Sequence, residues 1–527
     1  MATFTGYNAE SYADIFYNQI WLVEDSLDFS DQTTGYTADV YIWNSYFTAK
    51  NLSTVATTNM SNVAVLGTDT TKSFAALEQT TYTLLLSSSV PITIDGYLTF
   101  IFSDAEDPVL KISGILLQVF SYQPDWVDGI TENLEYATRI LTANNGQEQA
   151  HRLRTYPRIS YTYNSLLIQS TDHKDNALLR ARFHNQIMKN YDKKWLLPIW
   201  ADAYSLLQNF TSGTNVVSVP TATRDFYVGQ SVMLYNKWND YDLFTVSSIS
   251  PTALTLSTNA SKTWKAGQAY VIPTRTATIN SDTTSFNLQT YALENNTIVW
   301  NLLVENIQAS TKYAAYNPTY TYKGYDVYTR EHNFDSDVAV TINANQRLLD
   351  FVTGIYKIQS GFKINRHSYI KESYQFNYLL KTRSEYIEFL GFLRQRAGRW
   401  KPCWIPTYSN EIQIVAADVS SSQTLRIKDI GYSLYIKAAI NRRDITLIDS
   451  SNTYRFYRII DAVNNFDGTE TLTLDSPVGL NFTPSTFSMG CFMRFCRLAD
   501  DTAVIKWETD EFATTSLSFI ESISNPI

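Results

Sequence analysis

The sequence predicts a mainly β protein that contains α+β units, and three observations lead to this fold class. Aromatic residues make up 14% of the 527 residues and charged residues only 18%, a balance that favours half-buried pleated surfaces over long exposed helices. Residues 1–121 alternate between apolar and polar side chains, as an antiparallel sandwich does. The chain also contains one pattern twice. Its length exceeds what a single hydrophobic core usually serves, so we expect several domains.

The repeat is marked by aromatic, aliphatic, Gly and Pro positions that recur in the same order. The first copy contains Leu134-Glu135-Tyr136, Gly146, Tyr161-Thr162-Tyr163 and Leu197-Pro198-Ile199-Trp200, and the second contains Leu349-Asp350-Phe351, Gly361, Tyr374-Gln375-Phe376 and Ile405-Pro406-Thr407-Tyr408. Short strands follow in each copy, so each has a mixed helix/strand unit and then a small all-β unit. Two copies are too few for a solenoid and indicate a domain duplication. Because the retained positions build a fold and no reaction centre, the repeat points to assembly.

The predicted elements follow in chain order. An immunoglobulin-like β-sandwich occupies residues 1–121, with strands at Asp39–Trp43, Tyr82–Leu86, Ile92–Ile94 and Tyr97–Phe100. Two copies of a mixed α+β unit, each followed by a small β-barrel-like domain, account for the rest of the chain. The mixed units span residues 122–210 and 326–412, and the small β domains span residues 211–325 and 413–527.

The best helix of each copy precedes the proline motif. In the second copy, Thr382-Arg-Ser-Glu385 has the capping-box pattern and precedes apolar residues at helical spacing, namely Tyr386, Phe389, Leu390 and Leu393. In the first copy the corresponding stripe is Leu179, Phe183 and Ile187. Gly398 is the predicted stop of the second helix. Shorter helices are predicted over residues 132–143 and 346–357.

Composition excludes several function classes. The formal net charge is −9 and the acidic residues are scattered, so the basic stripe that nucleic-acid binding requires is missing and no specific nucleic-acid partner is expected. Cys403, Cys491 and Cys496 are too few for a disulfide framework and predict buried thiols in a reducing cytoplasm. No stretch approaches the ~20 apolar residues of a membrane span, and the N-terminus lacks the pattern of a signal peptide.

Motifs of catalysis and metal binding are also missing from the sequence. The five histidines form no HExxH motif and no pair at metal-ligand spacing. Neither GxSxG nor a P-loop occurs, and no pair of carboxylates can be nominated for polysaccharide hydrolysis. We therefore expect no enzyme activity, no metal and no cofactor.

Three arginines are candidates for subunit contacts. Arg152, Arg154 and Arg158 lie close to tyrosines in the sequence, and guanidinium groups bind carboxylates in a planar, bidentate geometry. One interpretation is a patch that pairs with Glu132 or Glu135 across a subunit interface. The alternative is an ordinary salt-bridged surface.

Tryptophans that flank the two proline motifs form a second candidate group. Trp195, Trp200, Trp400 and Trp404 are interpreted as core residues or subunit-contact anchors, in preference to carbohydrate platforms. Trp126 and Arg399 complete the candidate interface.

Two longer stretches resemble a known family. Asp125-Trp126, Glu132–Tyr136, Gly146–Gln149, Arg152-Leu-Arg154 and Pro157–Tyr161 together resemble a signature of tail-tip structural proteins of tailed bacteriophages. Arg383–Leu390 and then Gly398–Pro406 are similar to the segment "helix, Gly-Arg, Phe/Trp-Leu-Pro" of distal tail proteins. Ile405 stands where that pattern has Leu, and the first copy has no Gly-Arg before Trp195.

The resemblance implies a virion structural protein of the distal tail or baseplate, made in the host cytoplasm and located at the tail tip. Each mixed unit would be a ring domain, and each small β domain would decorate the outside of the ring. Three duplicated chains would present six similar units, which favours a trimer with pseudo-six-fold symmetry over a hexamer. The implied partners are the tail tube protein, the baseplate hub or central spike, and tail fibres or receptor-binding proteins, with no membrane.

A competing interpretation makes the chain a receptor- or glycan-binding module of the tail tip. Exposed aromatic platforms in residues 214–280 and 423–510 would favour this interpretation. Tight ring assembly without such platforms would weaken it.

Overall fold

The fold class is confirmed at the level of mainly β structure. A computed structural model describes residues 16–29, 37–58, 63–66, 70–86, 93–115, 117–142, 147–168, 179–290, 293–303, 312, 316–343, 348–353, 356–361, 371–415, 422–437, 439–479 and 487–522. The chain divides into unit 1, formed by residues 1–130 and 161–312, and unit 2, formed by residues 131–160 and 313–527. Within the described ranges, every helix is too short or too polar to cross a membrane.

The N-terminal part of unit 1 is a β-sandwich. Its strands are β1 (Ile20–Leu22), β2 (Ser26–Asp28), β3 (Thr37–Asn44), β4 (Lys50–Thr58), β5 (Val63–Leu66), β6 (Lys72–Phe74), β7 (Gln79–Leu86), β8 (Thr93–Phe102) and β9 (Val109–Ile115). They form two sheets, in the orders β1-β3-β7-β5 and β2-β9-β8-β4-β6. Val40 and Tyr82 from one sheet share a core with Phe100 and Ile112 from the other. The two strands predicted around Ile94 and Tyr97 are one strand, β8.

Unit 1 continues with a second sheet and a small β domain. The elements of this stretch are β10 (Gln118–Val119), β14 (Arg158–Ile168, which begins in unit 2), helix α1 (Leu179–Asn190), β15 (Trp195–Pro198), a 3-10 turn (Trp200–Asp202), β16 (Tyr204–Ser205), β17 (Val216–Ser218), β18 (Ser231–Lys237), β19 (Asp240–Ser250), β20 (Ala253–Leu256), β21 (Tyr270–Ile279), β22 (Phe286–Leu288) and β23 (Leu293–Leu302). The sheet pairs β10 with β15, β15 with β21, and β21 with β23, while β22 also pairs with β23. Strands β16–β20 and part of β21 enclose the core of the small domain.

Unit 2 repeats this arrangement. It opens with β11 (Ile130–Glu135, mostly in unit 2), β12 (Thr138–Thr142) and β13 (Glu148–Arg152). The later elements are β24 (Tyr320–Tyr322), β25 (Tyr325–Val327), β26 (Ala339–Asn343), β27 (Leu348–Thr353), β28 (Tyr356–Gly361), β29 (Lys371–Leu380), helix α2 (Arg383–Arg396), β30 (Cys403–Pro406), β31 (Thr424–Lys428), helical turns at Tyr432–Ile436 and Ile440–Arg442, β32 (Asp444–Asp449), β33 (Tyr454–Asn464), β34 (Thr469–Leu474), β35 (Phe487–Leu498), β36 (Thr502–Trp507) and β37 (Ala513–Glu521).

The same strand pairings occur in both copies of the repeat. In the second copy β25 pairs in parallel with β30, β30 pairs with β35, β35 pairs with β37, and β36 also pairs with β37. Strand β37 also pairs with β29, which precedes the small domain in sequence. The small domain with the core around Leu447 and Leu472 is therefore an insertion between strands of one sheet. The domain boundaries given above stay a prediction, to which this pairing adds that residues 502–521 complete the sheet of the mixed unit.

The long helices follow their sequence signals. In α2, the Thr382 side chain accepts a hydrogen bond from the Glu385 backbone N–H, and Ala397 and Gly398 after the helix have positive φ. In α1, Leu179, Phe183 and Ile187 are buried. The Thr382 cap and the apolar stripes are thus confirmed, while the Glu385 carboxylate accepts from the Lys381 backbone N–H in place of the Thr382 N–H of a full capping box.

The shorter predicted helices are wrong. Residues 132–143 contain β11 and β12, and the predicted helix at 346–357 overlaps β27 and β28. Burial along β11 alternates strictly, which is the period of a strand. The alignment of the two copies also shifts at this strand. Glu135 of β11 contacts Arg158 of β14, and Asn343 of β26 pairs with Lys371 of β29. The counterpart of Leu134 is therefore Ile342 and not Leu349. Gly146 lies outside the described residues.

Candidate assembly site

Residues 131–160 belong to the first copy by sequence, yet they pack within unit 2 together with residues 313–527. Strand β11 pairs with β36, so a strand of the first copy extends the sheet of the second copy. This contact between two copies of one repeat is the candidate assembly site. It is held by three polar clusters.

The first cluster surrounds the fully buried Glu132. Its Oε2 accepts hydrogen bonds from the Tyr386 hydroxyl at 2.8 Å and from Trp507 Nε1 at 2.9 Å. The buried Arg383 guanidinium lies 4.5 Å from the Trp507 ring, which brings a positive charge into the same cluster. A buried carboxylate requires such partners because leaving it unsatisfied is strongly unfavourable.

The second cluster is the loop at Asp501. The Asp501 carbonyl accepts a hydrogen bond from the Tyr136 backbone N–H at 2.8 Å, and its carboxylate accepts from the Thr138 and Arg399 backbone N–H groups at 2.9 Å each. The Arg399 guanidinium donates to the Asp501 carboxylate at 3.1 Å and to the Thr138 carbonyl at 2.9 Å. Burial raises the pKa of Asp501, but the hydrogen bonds from Arg399 and Thr138 outweigh it, so the net shift is downward.

Gly398 makes the close approach of Tyr136 possible. Its φ is +69°, which favours glycine, and an added Cβ would collide with the Asp501 carboxylate and lie 2.8 Å from the Tyr136 Cβ. The Gly-Arg pair that the sequence singled out therefore has two structural roles. Glycine admits the inserted segment, and arginine bonds to it.

The third cluster is centred on Glu148 of β13. Lys371 Nζ lies 2.6 Å from one carboxylate oxygen, and Arg497 donates to both oxygens at 2.8 and 3.3 Å. Burial raises the pKa of Glu148, but hydrogen bonds and charge from Arg497 and Lys371 lower it further than burial raises it. Glu148 is ionised at neutral pH and ties the strand pair β12–β13 to the second copy.

The three candidate arginines make contacts inside the chain. Arg154 donates to the Glu135 carboxylate at 3.2 Å, and Arg158 lies 3.7 Å from the other oxygen of that carboxylate. Arg152 places its guanidinium 4.7 Å from the Trp400 ring. The predicted pairing with Glu135 thus occurs, although within one chain, while Glu132 bonds to Tyr386 and Trp507.

The candidate tryptophans divide into two groups. Trp195, Trp200 and Trp404 are at most 1% exposed, so they are core residues and cannot contact a partner directly, which corrects their place in the candidate interface. Trp400 and Trp126 are half-buried. Of the candidate tryptophans, Trp400 is the one that reaches the assembly site.

Sequence reasoning missed Glu148, Lys371, Arg497 and Asp501. Each is an ordinary charged residue, and its partner lies more than a hundred positions away in the chain. Gly398 was the available signal, because glycine followed by a charged residue after a helix fits a close approach. The charged residues of the clusters carry no such signal in the sequence.

The three cysteines are enclosed in the protein core. Cys403, Cys491 and Cys496 are free and buried, and burial raises the pKa of Cys403 to about 11 and of Cys491 to about 12. Among the described residues, no group of three or more His, Cys, Asp or Glu side chains could hold a metal ion.

No protein-family model matches the chain, and no curated protein matches it. The secreted serine protease VesC from Vibrio cholerae is a solved structure that matches with 10% identity over 48% of this chain and 49% of that chain. Its TM-score of 0.16 carries no argument about fold or activity.

Proposed function

We propose that the chain is a non-enzymatic structural protein of a bacteriophage tail tip that assembles into a ring at the distal tail or baseplate. The observation that carries the proposal is the contact between the two copies of the repeat, in which β11 of the first copy adds to β36 of the second. A ring requires one module to present a surface that the next module accepts, and one such contact exists inside each chain.

The nature of the contact supports a permanent assembly. Its three charge clusters are largely buried and hydrogen-bonded, so they fix one register between the copies. A strand that joins a neighbouring sheet adds main-chain hydrogen bonds and side-chain specificity. These are properties of a scaffold, and the resemblance to tail-tip proteins supplies the biological setting.

The finer domain arrangement belongs to the same proposal. The N-terminal sandwich is immunoglobulin-like, the two mixed units are ring domains, and the small β domains lie outside the ring. The partners are the tail tube on one side and the hub, central spike, fibres or receptor-binding proteins on the other. Three chains would present six ring domains to the tube.

The test is the mass of the purified protein by light scattering, with electron-microscopy class averages from the same sample. We expect a three-fold particle with six similar lobes and a central opening. Immunogold labelling of phage particles is expected at the tail tip. Labelling elsewhere on the particle would contradict the proposed location, and a compact particle without an opening would contradict the ring.

One observation favours a second function, the receptor- or glycan-binding module. Tyr435 and Phe466 in the second small domain are 82% and 96% exposed, and Leu434 beside them is 72% exposed. The Asp429 side chain joins their two loops by accepting hydrogen bonds from Gly431 and Asn464. Exposed aromatic rings of this kind suit sugar or protein contacts. Glycan-array binding that disappears in a Tyr435→Ala, Phe466→Ala double variant would support this function.

A further inference from the structure

The contact inside the chain uses one strand from the first copy and one from the second, and each has a counterpart in the other copy. Strand β26 corresponds to β11, because Thr341 pairs with Ser373 as Asn133 contacts Ser160. Strand β22 corresponds to β36. Ile279 pairs with Trp300 in the first copy, and Leu498 pairs with Phe519 in the second. The two intervals have the same length, so the strands inside them align without an insertion or deletion. Each chain thus contains a second strand like β11 and a second sheet edge like β36.

The strand β26 exposes apolar side chains where β11 is buried. Glu132 and Leu134 are 0% and 1% exposed, whereas their counterparts Val340 and Ile342 are 52% and 64% exposed. An exposed strand with apolar side chains is a template for pairing with another chain. Surfaces of this kind usually mark an interaction site.

The edge strand β22 of the first copy is exposed, whereas the corresponding strand β36 of the second copy is covered by β11. Trp507 of β36 is fully buried, whereas its counterpart Leu288 of β22 is 55% exposed. The loop beside β36 is closed by Tyr136 and retains a cavity of about 50 Å³, while the corresponding groove beside β22 measures about 420 Å³. Corresponding residues line the two sites, the first copy contributing Ile279, Ser281, Thr283, Thr284, Thr297 and Val299, and the second Leu498, Asp500, Thr502, Ala503, Ser516 and Ser518.

We propose that β26 of one chain adds to the edge of β22 of a second copy of this chain, in the way that β11 adds to β36 within the chain. The contact is head-to-tail, since among the described residues each chain offers one edge strand, β26, and one sheet edge, at β22, that pair on one side only. A repeated head-to-tail contact closes into a ring when the rotation between neighbours allows it. The inference deepens the proposed function and rests on it for ring closure.

The chemistry of the two contacts differs in a way that separates them. Inside the chain, the Glu132 carboxylate meets Tyr386 and Trp507 as hydrogen-bond donors. Between chains, Val340 would take the place of Glu132 and Leu288 that of Trp507, so an apolar side chain meets an apolar side chain. Exchanging the partners would bring Glu132 against the Leu288 side chain, which cannot donate the hydrogen bond that Trp507 donates, and the exchange is therefore unfavourable. Each strand is therefore directed to its own sheet edge.

The test uses two single variants of the full-length chain, Val340→Cys and Leu288→Cys, purified separately, mixed and oxidised mildly. Because each chain carries one added thiol, a disulfide between the two variants can only join different chains. We expect a dimer band on a non-reducing gel that disappears on reduction. A mixture of Val340→Cys with Val216→Cys is the matched control, since Val216 is also 55% exposed but lies in the small domain. The expected dimer yield is on the order of tenfold higher in the first mixture, because docking raises the effective concentration of the thiols.

The outcomes separate this inference from the proposed function. A ring by microscopy without preferential cross-linking of positions 340 and 288 would overturn the inference and leave the ring standing. Preferential cross-linking in an open filament would uphold the contact and contradict the ring. A protein that stays monomeric at every concentration, with equal cross-linking in both mixtures, would overturn the inference, while immunogold labelling of particles still tests the location. In the uncross-linked protein, Val340→Asp is expected to dissociate the assembly into monomers, and Val216→Asp is expected to leave its mass unchanged.

Discussion

The two copies of the repeat have the same strand pairings but treat one strand in opposite ways. In the first copy β11 is buried and its central residue is a carboxylate, while in the second copy β26 is exposed and the corresponding residue is a valine. The difference follows from where the partner lies. Strand β11 has its acceptor sheet within the same unit, so a buried charge can be matched by fixed donors. An apolar strand that is exposed in a single chain can thus be explained by a partner strand in another chain. Two copies of one module can acquire different partners through the polarity of one position, here Glu132 and Val340.

Glu132→Ala is expected to have the largest effect on stability. The change removes two hydrogen bonds to a charged group in a buried place, and we expect unit 2 to lose about 3 kcal/mol of unfolding free energy. Pulse proteolysis in urea measures the loss. The matched control is Val340→Ala at the corresponding exposed position, expected to change stability by less than about 0.5 kcal/mol. Equal effects of the two changes would contradict the assigned difference between β11 and β26.

Gly398→Ala is expected to have the next largest effect. The new methyl group would strain the backbone at positive φ and collide with the Asp501 carboxylate and the Tyr136 Cβ, so unit 2 should lose about 2 to 3 kcal/mol. Gly468→Ala separates the two causes, because Gly468 has φ +81° and open space around it. Its loss should be about 1 kcal/mol, from backbone strain alone. Thermal or urea unfolding of both variants measures the difference, and equal losses would mean that neither Asp501 nor Tyr136 approaches Gly398 closely.

The pH dependence of unit 2 is expected to reflect Glu148 and Asp501. Both pKa values are lowered in the folded state, so their stabilisation is complete above the ordinary carboxyl pKa near 4. It is lost as the pH falls through the lower folded values. Glu148→Gln should remove about 1 to 2 kcal/mol at pH 7 and flatten the loss of stability below pH ~4.

The control for this pH series is Glu508→Gln. Glu508 forms an exposed pair with Lys506 at 3.2 Å, so its removal should change stability by less than about 0.5 kcal/mol. Urea unfolding at several pH values measures both variants. A Glu148 variant with an unchanged acid transition would contradict the role of this cluster.

The smallest expected effect concerns the cation–π contact between Arg152 and Trp400. In the first copy, Asp192 stands at the position that corresponds to Trp400 and offers no aromatic ring. Arg152→Ala should destabilise unit 2 by about 0.5 to 1 kcal/mol. Arg139→Ala, an exposed position on the paired strand, should change stability less. Because the chain has 11 tryptophans, the emission of Trp400 is obtained as the difference between the chain and its Trp400→Phe variant, and a difference spectrum that Arg152→Ala leaves unchanged would contradict the contact.

The fold could be predicted from the sequence where the signals are local. Alternation gave β3 and β7, and the Thr382–Glu385 capping box marked the start of α2. The helix predicted over residues 132–143 is wrong because Leu134, Ala137 and Leu141 are three and four positions apart, which also fits a helix, and the neighbouring strands select the extended form. The repeat could be recognised in the sequence, but the packing of residues 131–160 of the first copy with the second copy could not. Glu148, Lys371 and Arg497 meet only after folding, so spacing along the chain contains no trace of their cluster.

The insertion of residues 131–160 into unit 2 has a consequence for the order in which the protein is made. Strand β11 leaves the ribosome long before β36, whose Trp507 its Glu132 must reach. Until translation is almost complete, a strand with a charge destined for the interior remains without its partner. During that interval the β36 edge of another chain whose own β11 has not yet paired is a competitor for it. The rate at which the last residues are synthesised, and not the strength of the contact, would then decide in what fraction of chains β11 pairs with β36 of the same chain and in what fraction it pairs with β36 of another.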